Sequence, residues 1–281
     1  MNNIKLNNGV EMPILGFGVY KIDNYEECKK ACLYAIEAGY RHIDTAAIYM
    51  NEKAVGDAIK ESGIDRKDMF ITTKLWIQDA DYDKAKKAFQ ISMEKLGLDY
   101  LDLYLLHMPF GNYYSAWKAM EELYEAGHIK AIGVCNFYKE RLIDFLYNHK
   151  IMPAINQIET HPFFQRWEDQ ELMKEYNITL ESWAPLAEGS NNIFNNEILK
   201  SIGKKYNKTA AQVILRWLTQ RNIPIIPKSV NKERIIENSK IFDFILDDND
   251  MNLIKTLDNN KNIIFLNEDE KFIKQLLNMK Y

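Results

Sequence analysis

This chain of 281 residues has only three cysteines, no long apolar run and no excess of basic charge. Each shortage excludes a class of function. A helix needs roughly 20 consecutive apolar residues to cross a bilayer, and no segment approaches that length. The start, "MNNIKLNNGVEMP", lacks the charged-then-apolar pattern of a secretion signal, so the chain is expected in the cytoplasm, away from membranes. A formal net charge of -4 provides no basic field to attract phosphate backbones, so nucleic acid is not an expected partner. Cys28 and Cys32 lie one helical turn apart on the stripe shared with Ala31 and Ala35, and Cys135 is remote. One helix pair supplies too few ligands for a metal. The cysteines therefore read as small core residues, and no metal is expected.

Also missing is any linker rich in Pro, Gly or Ser, so residues 1–281 read as one domain. Eight short apolar or β-branched runs recur: "ILGFGVY", "YRHIDT", "MFITTK", "LDLYLLH", "IKAIGVCN", "PAINQIE", "ITLESW" and "IPIIPK". Helix-period segments follow them, at 24–38, 52–62, 81–96, 113–126, 138–148, 167–176, 209–221 and 231–239. Eight strand-helix units in a chain of this length predict an α/β fold, a closed parallel (β/α)8 TIM barrel. Ahead of it, Asn8-Gly9 predicts a β-hairpin capping the barrel bottom. Beyond it, "LDDNDMNLIKTLD" predicts an extra helix, and "NIIFLNEDEKFIKQLLNMKY" is a tail able to fold over one rim. An open dinucleotide-binding sheet is the competing architecture, but "LGFGVY" has no third glycine opening a helix. Any nucleotide must bind without that glycine loop.

In such a barrel the chemistry gathers at the carboxyl ends of the strands. Read in order, those ends supply Gly18 and Tyr20, Asp44, Lys74, His107, Asn136, Gln157, Trp183 and Lys228. Taken singly, each has an ordinary explanation. Asp44 could anchor a turn, Tyr49 could be a core aromatic, Lys74 a solvated strand end and His107 a hydrogen-bonded core residue. Together they form a proton-donating unit. A nearby Lys charge favours the phenolate, so the pKa of Tyr49 is expected to fall below its reference of about 10. Asp44 would keep Lys74 charged, and His107 would orient a carbonyl. Tyr20, Trp76 and Phe110, just beyond strand ends, are expected to wall the substrate pocket, together with Tyr49 and His107.

These residues sit in stretches that resemble the aldo-keto reductases. The resemblance runs in order through "ILGFGVYK", "YRHIDTAAIYMNEKAVGDAI", "ITTKLW", "LDLYLLHMP", "GHIKAIGVCNF", "INQIETHPF", "ESWAPLAEG" and "IPKSVNKERIIEN", and "HMPFGNYYSAW" looks like the compact bacterial members. It implies a (β/α)8 barrel that reduces aldehydes and ketones with NADPH. Its Asp, Tyr, Lys, His tetrad falls on Asp44, Tyr49, Lys74 and His107, with Tyr49 as general acid, or as base in alcohol oxidation.

The resemblance also implies a cofactor site. Asn136 and Gln157 would hydrogen-bond the nicotinamide carboxamide, and Trp183 would stack on its ring. Lys228, Ser229 and Arg234 would hold the 2'-phosphate, with Glu237 and Asn238 reaching the adenine. Gly18, Val19, Tyr20, Asp44, Ala184, Leu186 and Val230 complete the implied contacts. Where many relatives have Ser, this chain has Cys135, a poorer hydrogen-bond partner. The expected partner is a small carbonyl compound, acted on by a monomer. A nucleotide-binding regulatory barrel with little turnover is one alternative; a metal-dependent barrel hydrolase using Asp44 and His107 is another. His161, in "ETHPFFQ", is expected to be structural.

Overall fold

Asn24, Thr209 and Asp247 each accept a hydrogen bond from a first-turn backbone N–H and so cap the helices that follow them. The computed structural model describes residues 2–264 and 269–279. Among these, the amino-terminal hairpin pairs β1 (Asn3–Lys5) with β2 (Glu11–Pro13), antiparallel. The barrel strands are β3 (Phe17–Gly18), β4 (His42–Asp44), β5 (Phe70–Leu75), β6 (Leu103–Leu106), β7 (Ile132–Cys135), β8 (Ile155–Glu159) and β9 (Thr179–Trp183). All seven are parallel and lie in chain order. Helices alternate with them: α1 (Tyr25–Glu37), α2 (Glu52–Ser62), α3 (Tyr82–Leu96), α4 (Tyr113–Glu125), α5 (Lys139–Leu146) and α6 (Trp167–Glu175). After β9 come α7 (Glu197–Tyr206), α8 (Ala210–Gln220), α9 (Lys232–Ser239), α10 (Asp248–Lys255) and α11 (Glu270–Asn278).

The eighth predicted strand, "IPIIPK", is reduced to one residue of ladder. Ile225 bridges in parallel to Leu15 on one side and Ser182 on the other, closing the barrel. Gly16 N donates to Ile225 O at 2.8 Å, and Ser182 N to Pro224 O at 2.8 Å. Pro224 and Pro227 have no N–H to return, which stops a regular ladder from extending. Helix α7 is a second departure, lying in a segment where no helix was predicted.

The hairpin caps the bottom as predicted. Leu6 and Met12 pack with Phe70, Leu103, Ala131 and Ala154, and Asn7 and Asn8 donate to the Pro153 and Lys130 carbonyls. Gly9 takes φ +89 at the turn, a region that favours glycine. Between barrel and helices, Leu15, Phe17, Val55, Trp117, Trp217 and Ile254 belong to one continuous hydrophobic cluster. Cys28 and Cys32 are fully buried in it.

The tail reaches the opposite, carboxyl-end rim. Leu276 is buried with Trp76, Ile77 and Met108, Phe272 packs alongside, and Gln78 Nε2 donates to Leu277 O at 3.1 Å. Tail residues 265–268, 280 and 281 lie outside the described residues. Among the described residues no helix is long and apolar enough to cross a membrane.

Candidate active site

Strand β4 ends at Asp44, and a 3₁₀ turn at Ala47–Tyr49 brings the phenol back over the barrel mouth. Asn51 fixes that excursion. It accepts from Thr45 Oγ1 at 2.7 Å and donates to the Val19 and Ile22 carbonyls, tying the turn to the loop after β3. Glu52, predicted as a first-turn helix residue, holds that place but is buried, accepting from Thr73 Oγ1 at 2.7 Å.

The four residues of the expected tetrad converge. Lys74 Nζ pairs with Asp44 Oδ1 and donates to Thr45 O at 2.9 Å. It lies 5.0 Å from the Tyr49 ring centroid. The Tyr49 hydroxyl is 3.5 Å from His107 Nε2, and the two rings meet edge-on. Burial alone would push the Lys74 ammonium down; Asp44 and Tyr49 outweigh it and hold it above its ordinary value. Burial raises the Asp44 carboxyl, while Lys74 and Gln157 act against that rise. Burial, helped by the Lys74 charge, holds the His107 imidazole well below its ordinary value, so it is neutral near pH 7.

One expectation is corrected. The Tyr49 phenol is not lowered but raised, because burial penalises the phenolate more than Lys74 favours it. Lys74 already spends its charge on Asp44. Tyr49 therefore holds its proton firmly in the resting protein.

The expected pocket walls surround this group. Trp76 is buried, its ring 5.1 Å from that of His107, while Phe110 is partly buried beside it. Tyr20 is half exposed, with its ring 4.9 Å from that of Tyr49. Ile48, Met108, Phe272 and Leu276 line the same cluster, and sequence reading had not assigned them to it. The periodicity of the last helix carried no sign of which rim it would meet.

Of the expected nicotinamide contacts, Asn136 and Trp183 touch directly: Trp183 Nε1 donates to Asn136 Oδ1 at 3.0 Å. Asn136 sits at φ +61, a left-handed conformation that Asn tolerates better than most residues. It also donates to His107 O at 3.2 Å. Gln157 lies deeper, donating to both Asp44 and Glu181. Cys135 Sγ is 3.9 Å from Gln157 Oε1, and burial pushes its thiol well up, which suits no reactive role. Gly18 approaches Ile226 O so closely that an added Cβ would lie 2.8 Å from it. Val19 is buried, whereas Ala184 and Leu186 are partly exposed.

Lys228, Val230 and Arg234 are exposed and Ser229 partly so, around the start of α9, where Asn231 caps Arg234 N. Among the described residues, neither Lys228 nor Arg234 has an acidic partner within ion-pair distance. Two uncompensated cations at a helix N-terminus suit a phosphate. Glu237 accepts from Thr209 Oγ1 at 2.7 Å, and Asn238 is buried. Across the mouth, Lys21 pairs with Glu188 at 2.7 Å, joining the loops after β3 and β9.

His161, expected to be structural, is buried and its Nε2 lies 3.1 Å from Glu159 Oε1. The residue that sequence reading missed is Glu181, fully buried at the level of Gln157. Its signal was a carboxylate inside "ITLESW", two positions from Trp183 and on the same strand face. Among the described residues no group of three or more His, Cys, Asp or Glu side chains is placed to hold a metal ion.

Known proteins are similar to this chain in sequence and fold. The model of the Aldo/keto reductase family matches residues 14–259. A glyoxal reductase of Bacillus subtilis (strain 168) is 47% identical over 263 residues, 93% of this chain and 95% of the relative. A methylglyoxal reductase, DkgA, of Escherichia coli (strain K12) is 43% identical, covering 92% of this chain and 94% of its own. The crystal structure of a Bombyx mori aldo-keto reductase in complex with NADP superposes with a TM-score of 0.90 at 33% identity, covering 95% and 96%. The chain belongs to the aldo/keto reductase family.

Proposed function

We propose that this protein reduces aldehydes and ketones to alcohols with NADPH, using Tyr49 as the proton donor. The observation that carries the proposal is the convergence of the Tyr49 hydroxyl, the Lys74–Asp44 pair and His107 Nε2 at one mouth. The cofactor is supported by the NADP complex of the Bombyx mori relative and by what this chain offers it. Lys228, Ser229 and Arg234 would hold the 2'-phosphate, Trp183 would give a flat face to the nicotinamide, and Asn136 and Gln157 would meet its carboxamide. When bound, NADPH supplies the hydride.

The chain's own residues do the rest. Asn136, tied to His107 O, helps fix the backbone that carries His107. A neutral His107 with its proton on Nε2 offers that N–H to the substrate carbonyl oxygen and orients it. Tyr49 gives its hydroxyl proton to this oxygen as negative charge builds there. A high phenol pKa does not prevent that transfer, because an alkoxide is the stronger base. Lys74 then stabilises the phenolate left behind, and Asp44 keeps Lys74 charged. Trp76, Phe110 and Met108 exclude water and favour a small carbonyl compound.

The names of the Bacillus and Escherichia relatives support small α-dicarbonyl aldehydes as the substrates to try first. We take residues 1–281 as one domain, a reading supported by the hydrophobic cluster that runs from Leu15 to Ile254. The test is Tyr49→Phe assayed with NADPH and methylglyoxal. Turnover should fall by at least ~10²-fold while NADPH affinity stays close to wild type. Wild-type turnover in this variant would remove Tyr49 from the donor role.

A further inference from the structure

Cys135, Gln157 and Glu181 are register partners on β7, β8 and β9, so they form one inward-facing row across the barrel. Gln157 Nε2 donates to two carboxyl groups at once, to Asp44 Oδ2 at 2.9 Å and to Glu181 Oε2 at 2.9 Å. A primary amide has two N–H bonds, so both donors are used. The opposite amide orientation would turn the Gln157 oxygen toward both carboxyl groups. Asp44, paired with Lys74, is an acceptor only, and a Gln157 oxygen turned toward it would place two acceptors in contact.

Asp44 alone can hold only one of the two N–H bonds. Glu181 takes the other, and its remaining oxygen, Oε1, has no hydrogen-bond partner among the described residues. What Gln157 has left is its carbonyl oxygen, which among the described residues meets only the weak Cys135 thiol donor at 3.9 Å. An acceptor so exposed by its neighbours calls for an N–H donor, and a nicotinamide carboxamide carries two.

We propose that Glu181 is a positioning residue of the cofactor site: by taking one N–H of Gln157, it fixes that amide as an acceptor for the carboxamide N–H of the nicotinamide. The proposal rests on the reading that the mouth takes NADP(H). Glu181 touches neither substrate nor cofactor and acts through Gln157. Lys74 is already paired with Asp44, and Glu181 serves as a hydrogen-bond acceptor without needing a charge of its own.

The test compares NADP+ with adenosine 2',5'-bisphosphate, which has the phosphate end of the cofactor and no nicotinamide, by titration calorimetry. Glu181→Met removes the acceptor and releases the Gln157 amide, whose oxygen is then no longer held toward the carboxamide, a loss of about 1–3 kcal/mol from that hydrogen bond. NADP+ affinity should therefore weaken ~5- to 100-fold, while the bisphosphate binds as it does to wild type. Glu181→Gln keeps an acceptor oxygen and should restore NADP+ binding to within about threefold. Unchanged NADP+ affinity in Glu181→Met, or an equal loss for both ligands, overturns the proposal.

A wild-type measurement tests it without any variant. The 3-acetylpyridine analogue of NADP+ has a methyl ketone in place of the amide and offers Gln157 no N–H. It should bind about tenfold more weakly than NADP+; equal binding overturns the proposal. Wild-type protein that binds neither NADP+ nor the bisphosphate would instead overturn the cofactor reading beneath it.

Discussion

The Tyr49 hydroxyl lies 3.5 Å from His107 Nε2, at the outer limit of a hydrogen bond, so neither group is locked to the other. A carbonyl oxygen can take both as partners. Because burial and Lys74 keep His107 neutral, its titration should be absent from the reaction between about pH 5 and 8. The pH profile of kcat/KM for carbonyl reduction should show no inflection near the ordinary histidine value of about 6.5. An inflection there that disappears in His107→Gln would contradict a neutral imidazole.

Lys74 and Asp44 are both almost fully buried, and each is the other's charge partner. Lys74→Met leaves a buried carboxylate without its cation, which typically costs about 3–5 kcal/mol. Urea denaturation should show a loss of that order, together with loss of turnover. Adding Asp44→Asn removes the stranded charge, so the double variant should be more stable than the sum of the two single losses. Simple additivity would mean the pair is not coupled.

Much of this site was legible because strand ends can be read from sequence when apolar runs stop abruptly, as "LYLLH" does at His107; Lys74, expected at a strand end, lies one residue short of the end of β5. What depended on packing across the barrel was not legible. The pKa direction of Tyr49 depends on how far burial exceeds the help from Lys74, and no spacing encodes that balance. Glu181 went unassigned because only its register with Gln157 across the barrel brings the two side chains together. The last barrel strand was misjudged for a local reason that could have been seen: two prolines in "IPIIPK" leave too few N–H groups for a ladder.

Lys228 and Arg234 are exposed near the start of α9, where a charged group of opposite sign would meet both them and the helix terminus. A 2'-phosphate is that group, and NADH lacks it. Replacing both with Ala should raise the KM for NADPH by ~10- to 100-fold, at about 1.5–3 kcal/mol for charged hydrogen bonds. The KM for NADH should change by less than about threefold. Equal efficiency of the wild type with the two cofactors would remove the basis for assigning these cations to the phosphate.

Gly56 is where α2 meets the end of α3: a Cβ there would lie 2.2 Å from the Leu96 carbonyl oxygen. Backbone cannot move aside as a side-chain tip can, so Gly56→Ala should destabilise by about 1–3 kcal/mol. Although alanine is the better helix former by about 1 kcal/mol, the clash should win. Thermal unfolding would show a lowered midpoint, with kcat per folded molecule unchanged because α2 reaches the site only through its first turn. A stabilised Gly56→Ala would mean that the two helices separate easily.

Burial and the Asp44 charge push the Glu181 carboxyl from its ordinary 4.5 up to about 8, so it carries its proton at neutral pH. Its folded-state pKa lies above the unfolded one, so between about pH 4.5 and 8 the folded state binds more protons. Stability contributed by the protonated acid is complete below about 4.5 and is lost as the pH rises through about 8. Glu181→Gln has no proton to lose and escapes this loss. The variant should therefore gain on wild type as pH rises, by an amount on the order of a few kcal/mol across the window. Paired urea melts at pH 5 and pH 8.5 measure it. A difference that stays flat, or that moves toward wild type, would mean that Glu181 is already ionised at the lower pH and that Lys74 serves both carboxylates.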